Sequence, residues 1–384
     1  MLPRFLALGL LAAEVLTLFL SCGHRSANPS PPNPQGPAPG TGQPLPQPNG
    51  FPRRLILVPP ASGLYHAAFP DFGGYEDQVS AQRIWDFESL AGKPITWAYF
   101  SNNWFTGIQF PALEVAEIAA VAGRVPFIRI MPRNDQDILP DPTYTLDAFL
   151  AGTFDADIRR WAEDARDTNI PLLVEFGTEA NGDWFPWNAT WNGGAQKTGY
   201  GDPNEYDGQE RFRDTYRRIV RIFREVGANN VTWFFHVDCY SCPDTPWNSA
   251  AGYYPGDAYV DWIGISCYGP QEPGEPWQLL TDALDDTYAG LAAISTTKPM
   301  ALLEYAVVDD PATGPKNAWI SDAMSALATG RYPRIRAASW WHENFDMSNL
   351  RIDSSLSALA AYQSGAARPQ FVTQPQWSWV SLRK

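Results

Sequence analysis

The chain has 384 residues, a formal net charge of −14 with only 28 lysines and arginines, and an aromatic content of 14 % that includes sixteen tryptophans. A protein that neutralises phosphates needs a basic footprint, so this balance excludes nucleic acid as a partner and suits a neutral substrate better than a polyanion. The rings serve either a ring-rich core or a cleft lined with aromatic faces.

In chain order, residues 1–21 read as a signal peptide of the lipoprotein type. Arg4 supplies the positive start, and Phe5 to Leu20 form an apolar stretch broken by Glu14. That stretch is too short, and too soon followed by polar residues, to span a membrane. It runs into Phe19-Leu20-Ser21-Cys22, which resembles a bacterial lipobox, although Phe19 and Leu20 depart from the usual Leu-Ala. The expectation is a lipid-anchored membrane protein, lipidated at Cys22, with a freely secreted protein as the alternative. Residues 22–52 are rich in proline, glycine and small polar side chains and have almost nothing to bury, which predicts a disordered tether.

From residue 53 to 384 the composition is that of one folded domain. Short apolar runs recur at Leu64–Phe69, Ile95–Phe100, Pro126–Met131, Leu172–Phe176, Val231–Val237, Trp262–Cys267, Met300–Glu304 and Ile335–Trp341, with Leu55–Val58 as a lead-in. Helical periodicity lies between them at Phe154–Thr168, Glu210–Val226, Thr281–Ile294 and Trp319–Leu327. Eight strands alternating with helices predict an α/β fold, a (β/α)₈ TIM barrel, more readily than an open sheet. No G-x-G-x-x-G follows an early strand, which counts against a dinucleotide fold. Cys239 and Cys242 form a C-x-x-C, read in an exported chain as a disulfide, and Cys267 is left over as a small buried apolar residue.

Chemistry in such a barrel sits at the C-terminal ends of the strands. The fourth predicted strand delivers Thr178, Glu179, Ala180, Asn181, Gly182, Asp183 and Trp184, and the seventh delivers Glu304 and Tyr305. Either glutamate alone could be a strand-end carboxylate paired to an arginine. Two of them on strands that face each other across a barrel match the needs of glycoside hydrolysis, an acid for the leaving oxygen and a second carboxylate at C1. A ring close to Glu179 would raise its pKa as a general acid requires, while a polar barrel mouth would keep Glu304 ionised.

The segment EANGDWFPWN, beginning at Glu179, resembles the acid/base motif of glycoside hydrolase family 26, H-E-M-N-G followed by spaced tryptophans. KPMALLEYA, ending at Ala306, resembles that family's nucleophile strand. GKPITWAYFSNNW, YYPGDAYVDWIGISCYG and IRAASWWHENF followed by LRIDSS match in order as well. The resemblance covers about residues 63–366 and implies a retaining barrel enzyme; no cluster of His, Asp and Glu has metal-site spacing, so no metal or cofactor is expected. It implies Glu179 as acid/base, Glu304 as nucleophile, Tyr268 as the tyrosine that hydrogen-bonds the nucleophile, and Trp184 with Trp340 or Trp341 as sugar platforms. The implied activity is endo-hydrolysis of a β-linked polysaccharide, β-1,4-mannan first, with mixed-linkage β-glucan and β-1,3-xylan as alternatives. Thr178 stands where the family usually has His, Glu175 where it often has Arg, and Ala306 where it usually has Gly.

Other residues carry two readings each. Asn181, His236 and Asp238 could bind sugar hydroxyls or satisfy a buried polar network. His342 and Glu343 could touch substrate or form loop ion pairs. Asn102, Asn103 and Trp104 are candidates for a distal subsite. The rival function is a surface glycan-binding protein that has lost catalysis.

Overall fold

The computed structural model describes residues 53–381, except Tyr75 and Asp346. The expected signal peptide, Cys22 and the tether lie outside the described residues.

The strands are β1 (Arg53–Val58), β2 (Leu64–Pro70), β3 (Trp97–Asn103), β4 (Val125–Met131), β5 (Leu172–Phe176), β6 (Val231–Asp238), β7 (Trp262–Ser266), β8 (Met300–Tyr305) and β9 (Ile335–His342). Strands β2 to β9 pair in parallel in sequence order, and β9 returns to pair with β2, closing an eight-stranded barrel. All eight predicted strands are present. They read as continuous apolar runs because a barrel strand is covered on both faces, by side chains inside and by helices outside. In β4 all seven residues are buried.

The outer layer comprises α1 (Ala81–Ala91), α2 (Ala112–Ala116, continued by a π-helical turn over Glu117–Ala122), α3 (Leu146–Leu150), α4 (Asp155–Asp167), α5 (Asp207–Glu225), α6 (Leu280–Ala293), α7 (Lys316–Thr329) and α8 (Leu356–Ala366). Helix α5 buries Phe212, Tyr216, Ile219, Val220 and Phe223 on one stripe against the barrel. The β6–β7 connection departs from strict alternation. It holds only two 3₁₀ turns, Pro246–Asn248 and Ala250–Tyr253.

After two short strands, β10 (Asn344–Phe345) and β11 (Ser348–Asn349), and the two-residue β12 (Phe371–Val372), the chain ends in β13 (Gln376–Ser381). The predicted lead-in Leu55–Val58 is part of β1, which pairs antiparallel with β13 from Arg53↔Ser381 to Val58↔Gln376. This ribbon crosses the N-terminal end of the barrel. Leu55 N–H donates to Asn229 O at 2.7 Å, Trp262 Nε1 donates to Leu57 O at 2.9 Å, and Arg54 Nη1 donates to Asp261 Oδ2 at 2.7 Å. One mouth is therefore plugged, and the opposite mouth carries the long loops.

Candidate active site

Glu179 follows the fourth barrel strand, β5. Gly177 takes φ 67°, where a Cβ would sit 2.8 Å from the Phe212 ring, and Glu179 itself takes φ 47°. A non-glycine residue in the left-handed region costs on the order of 1–3 kcal/mol, and such strain concentrates at functional sites. Glu179 is 7 % exposed. Trp184 folds back so that its Nε1 donates to Glu179 Oε2 at 2.7 Å. Gly182 permits the fold, because a Cβ there would lie 2.3 Å from the Trp184 ring.

Glu304 lies on the seventh barrel strand, β8. Side chains alternate along a strand, so Glu304 points into the barrel while Tyr305 points out to Trp319 and Trp340, the latter at a centroid distance of 5.1 Å. Tyr268 Oη donates to Glu304 Oε2 at 2.8 Å, and Arg129 Nη2 lies 3.4 Å from Oε1. One oxygen each of Glu179 and Glu304, together with a His236 ring nitrogen, lie within 4.8 Å of one another. Among the described residues these three are also the group that could hold a metal ion, although both His236 nitrogens already have protein partners.

Beneath the glutamates the barrel interior carries a sealed polar layer. Tyr99 Oη donates to Glu175 Oε1 at 2.6 Å, and Arg129 Nε lies 3.6 Å from the same oxygen. His236 Nδ1 lies 3.0 Å from Glu175 Oε2 and 2.7 Å from Thr178 Oγ1, while its Nε2 lies 2.9 Å from Ser266 Oγ. Burial pushes the Glu175 carboxyl up, but His236, Arg129 and Tyr99 outweigh it and hold the group below the ordinary range. For Glu304 burial prevails. Desolvation and the Glu179 charge, opposed by Arg129 and His236, push it up to about 7. Glu304 is thus raised out of the ordinary carboxylate range, against the polar-mouth expectation, because it is almost fully buried.

The structure brings together Glu179, Glu304, Trp184, Tyr268 and Trp341. Trp341 stacks on Phe69 at 4.1 Å, with the Arg129 guanidinium 5.0 Å from its ring centroid. Of the other expected substrate contacts, His236 lies beneath the pair, within 4.8 Å of both carboxylates, and the rest lie elsewhere. Trp340 is fully buried among Tyr305, Trp319 and Tyr362, with no face left for a sugar, because it occupies the outward position next to the inward Trp341. Trp104 is sealed under Tyr144 and Phe149, and its neighbour Phe105 is the exposed ring. Asn181 and His236 are fully buried. Asn181 accepts from Asp238 N–H and donates to Asp238 O, tying the β5 and β6 loops together. Cys239 and Cys242 are free thiols; Cys239 contacts Cys267 and Cys242 contacts Asp183, in place of the C-x-x-C bridge.

Arg129 and Tyr99 were not singled out from the sequence, although a lone arginine inside the apolar run VPFIRIM was the available signal. A charge in a strand covered on both faces must find buried partners.

The family model for glycosyl hydrolase family 26 matches residues 99–301. Endoglucanase H of Acetivibrio thermocellus is 31 % identical over 299 residues, which are 76 % of this chain and 30 % of that protein. Mannan endo-1,4-beta-mannosidase A and B of Caldalkalibacillus mannanilyticus is 25 % identical over 193 residues, 49 % of this chain and 31 % of that protein. The chain therefore spans about a third of the length of either relative. Among solved structures, a Cellulomonas fimi endo-beta-1,4-mannanase double mutant superposes with a TM-score of 0.57 at 18 % identity, covering 81 % of this chain and 72 % of that one.

Proposed function

Since the chain belongs to glycosyl hydrolase family 26, we propose that it is a retaining endo-β-glycanase, with Glu179 as acid/base and Glu304 as nucleophile. The observation that carries this reading is the approach of the two carboxylates to within 4.8 Å at the open mouth of the barrel. Retaining enzymes hold their carboxyls about 5–5.5 Å apart, whereas inverting enzymes need about 6.5–9.5 Å to admit a water.

In the first step a Glu304 oxygen attacks C1, and the bond from C1 to the leaving oxygen breaks as Glu179 protonates that oxygen. In the second step Glu179 takes a proton from water, the water oxygen attacks C1, and Glu304 is released as a carboxylate. Tyr268 and Arg129 stabilise the ionised form of Glu304 that must attack.

For the substrate we propose a β-1,4-linked backbone, mannan first. The name Endoglucanase H, attached to the relative with the broad match, favours a glucan as the second reading. The altered surroundings at Thr178 and Glu175 leave both in play. We further propose that the enzyme acts outside the cytoplasm, lipid-anchored through Cys22 or secreted, on the strength of its N-terminal sequence. A reducing-end assay of the full chain on mannan, glucomannan, mixed-linkage β-glucan and β-1,3-xylan tests the activity. Retention of a polysaccharide on a gel without new reducing ends on any of the four would establish the glycan-binding alternative.

A further inference from the structure

Cys239 and Cys242 follow β6, Cys267 follows β7, and the chemistry above uses none of the three. Asp238 and Ser266 are register partners across β6 and β7, and Cys239 N–H donates to Ser266 O at 2.9 Å. The parallel ladder thus runs to its last rung, and Cys239 and Cys267 are the next opposed pair. Neighbouring strands lie about 4.8 Å apart, and a disulfide needs Cα atoms about 4.4–6.8 Å apart. Opposed residues share a face of the sheet, and the face alternates along the strand. His236 and Ser266 meet inside the barrel at 2.9 Å, so Cys239 and Cys267 both turn outward. Cys267 is fully buried there, and Cys239 is half-buried against the core. The two thiols are hydrogen-bonded to each other.

Cys242 is held elsewhere. Its N–H donates to Asn181 O at 3.0 Å, its backbone bridges to Gly182, and its thiol is hydrogen-bonded to Asp183. All three partners belong to the loop that carries Glu179. A bridge within the C-x-x-C would have to pull Cys242 off that loop or Cys239 off β7. A link from Cys239 to Cys267 joins two thiols that already touch. Among the described residues no cysteine belongs to a group that could hold a metal ion, so the pair is not the remnant of a metal site.

We propose that Cys239 and Cys267 are the site of a cross-strand disulfide that ties the ends of β6 and β7 together next to the catalytic pair. The link forms by exchange with a small disulfide. Cys239, the more exposed of the two, attacks as a thiolate, the S–S bond of the reagent breaks, and one thiol leaves. Cys267 then loses its proton and attacks Cys239 Sγ, the mixed disulfide breaks, and the second thiol leaves. The two protons end on the two released thiols, and the reagent is reduced by the two electrons that the cysteines give up. Its contact with Cys267 and its burial hold the Cys239 thiol well above the ordinary range, so exchange in the folded protein is slow. Oxidising surroundings outside the cytoplasm favour the link, but its partners are set by the fold alone. Cys267 directly precedes Tyr268, whose Oη donates to Glu304 Oε2 at 2.8 Å. Cys239 directly follows Asp238, whose backbone is held by Asn181 on the Glu179 loop. The link also closes the β6–β7 connection, which holds only two 3₁₀ turns, and closing a long loop stabilises more than closing a short one.

The test incubates the full chain with oxidised glutathione until the free-thiol count is constant, alkylates it under denaturing conditions and digests it with chymotrypsin without reduction. Cleavage after Phe235, Tyr240, Trp247, Trp262 and Tyr268 puts each of the three cysteines on its own peptide. Mass spectrometry should find residues 236–240 joined to 263–268, with 241–247 joined to neither. The oxidised protein should melt about 2–5 °C above the reduced one. Cys239→Ser should lose both the joined peptide and the rise in Tm, and Cys242→Ala should keep both. A link between Cys239 and Cys242, a link between Cys242 and Cys267, or three unlinked peptides at the end point overturns the proposal. A joined pair with no rise in Tm overturns its role as a brace. The peptide map of the wild type decides the pairing even where a cysteine variant fails to fold.

Discussion

Arg129 and Glu304 meet at 3.4 Å with both side chains almost fully buried, and the arginine does not outweigh the burial. Arg129 divides its charge among Glu304, Glu175 and Glu76, the last at 3.4 Å. The carboxylate that must act as nucleophile consequently titrates at about 7 in the free site.

The pH dependence follows. A nucleophile works ionised, and Glu304 is ionised above about 7 and protonated below it. In kcat/KM, which reports the free enzyme, the acid limb should fall about tenfold per pH unit below that value. Tyr268→Phe removes a hydrogen bond to the charged form, made at 2.8 Å, so it should move the limb to higher pH. A limb that stays near pH 4.5 in both proteins would contradict this account of Glu304.

Glu179→Ala should separate substrates by leaving group. An acid matters most when the departing oxygen needs a proton, so the loss on polysaccharide should be about 10²–10⁴-fold and much smaller on an activated aryl glycoside. Rates on both substrates settle it; equal losses would remove the acid role.

Trp340 and Trp341 should divide into a stability residue and a site residue. Trp340→Ala empties a packed position between barrel and helices and should cost about 3–5 kcal/mol, read as a lower Tm. Trp341→Ala should act mainly on kcat/KM, through the stack on Phe69 and the ring beside Arg129. A reversal of these two readouts would mean that the inward and outward faces of β9 have been confused.

This pair also marks where reading the sequence stopped. The eight strands and the two strand-end glutamates were legible because a barrel strand is one long apolar run and a carboxylate at its end interrupts that run. Which of two adjacent tryptophans faces inward was not legible, since β9 is apolar on both faces and its period-two pattern is silent. The β1–β13 ribbon was missed because its pairing joins residues more than 300 positions apart, and β13 alone reads as a polar-aromatic tail. The cysteines misled for a related reason. C-x-x-C spacing suggested a local bridge, but Cys239 and Cys267 follow Asp238 and Ser266, which are paired across β6 and β7, so the fold sets Cys239 against Cys267.

The last prediction concerns the covalent step. Glu304 should become glycosylated during turnover, and the first product should keep the β configuration. The approach of the two carboxylates to within 4.8 Å leaves no room for a water behind C1, so the group behind C1 is Glu304 itself. Tyr268 and Arg129 hold two different oxygens of that carboxylate, Oε2 and Oε1, which fixes the plane of the group. Glu304→Ala should therefore abolish turnover on every substrate, activated aryl glycosides included, because a better leaving group does not replace a nucleophile. A 2-fluoro glycoside of the sugar that the enzyme accepts should label Glu304, located by peptide mass spectrometry. An α-anomer as the first product in NMR, or the label on Glu343, would overturn the assignment.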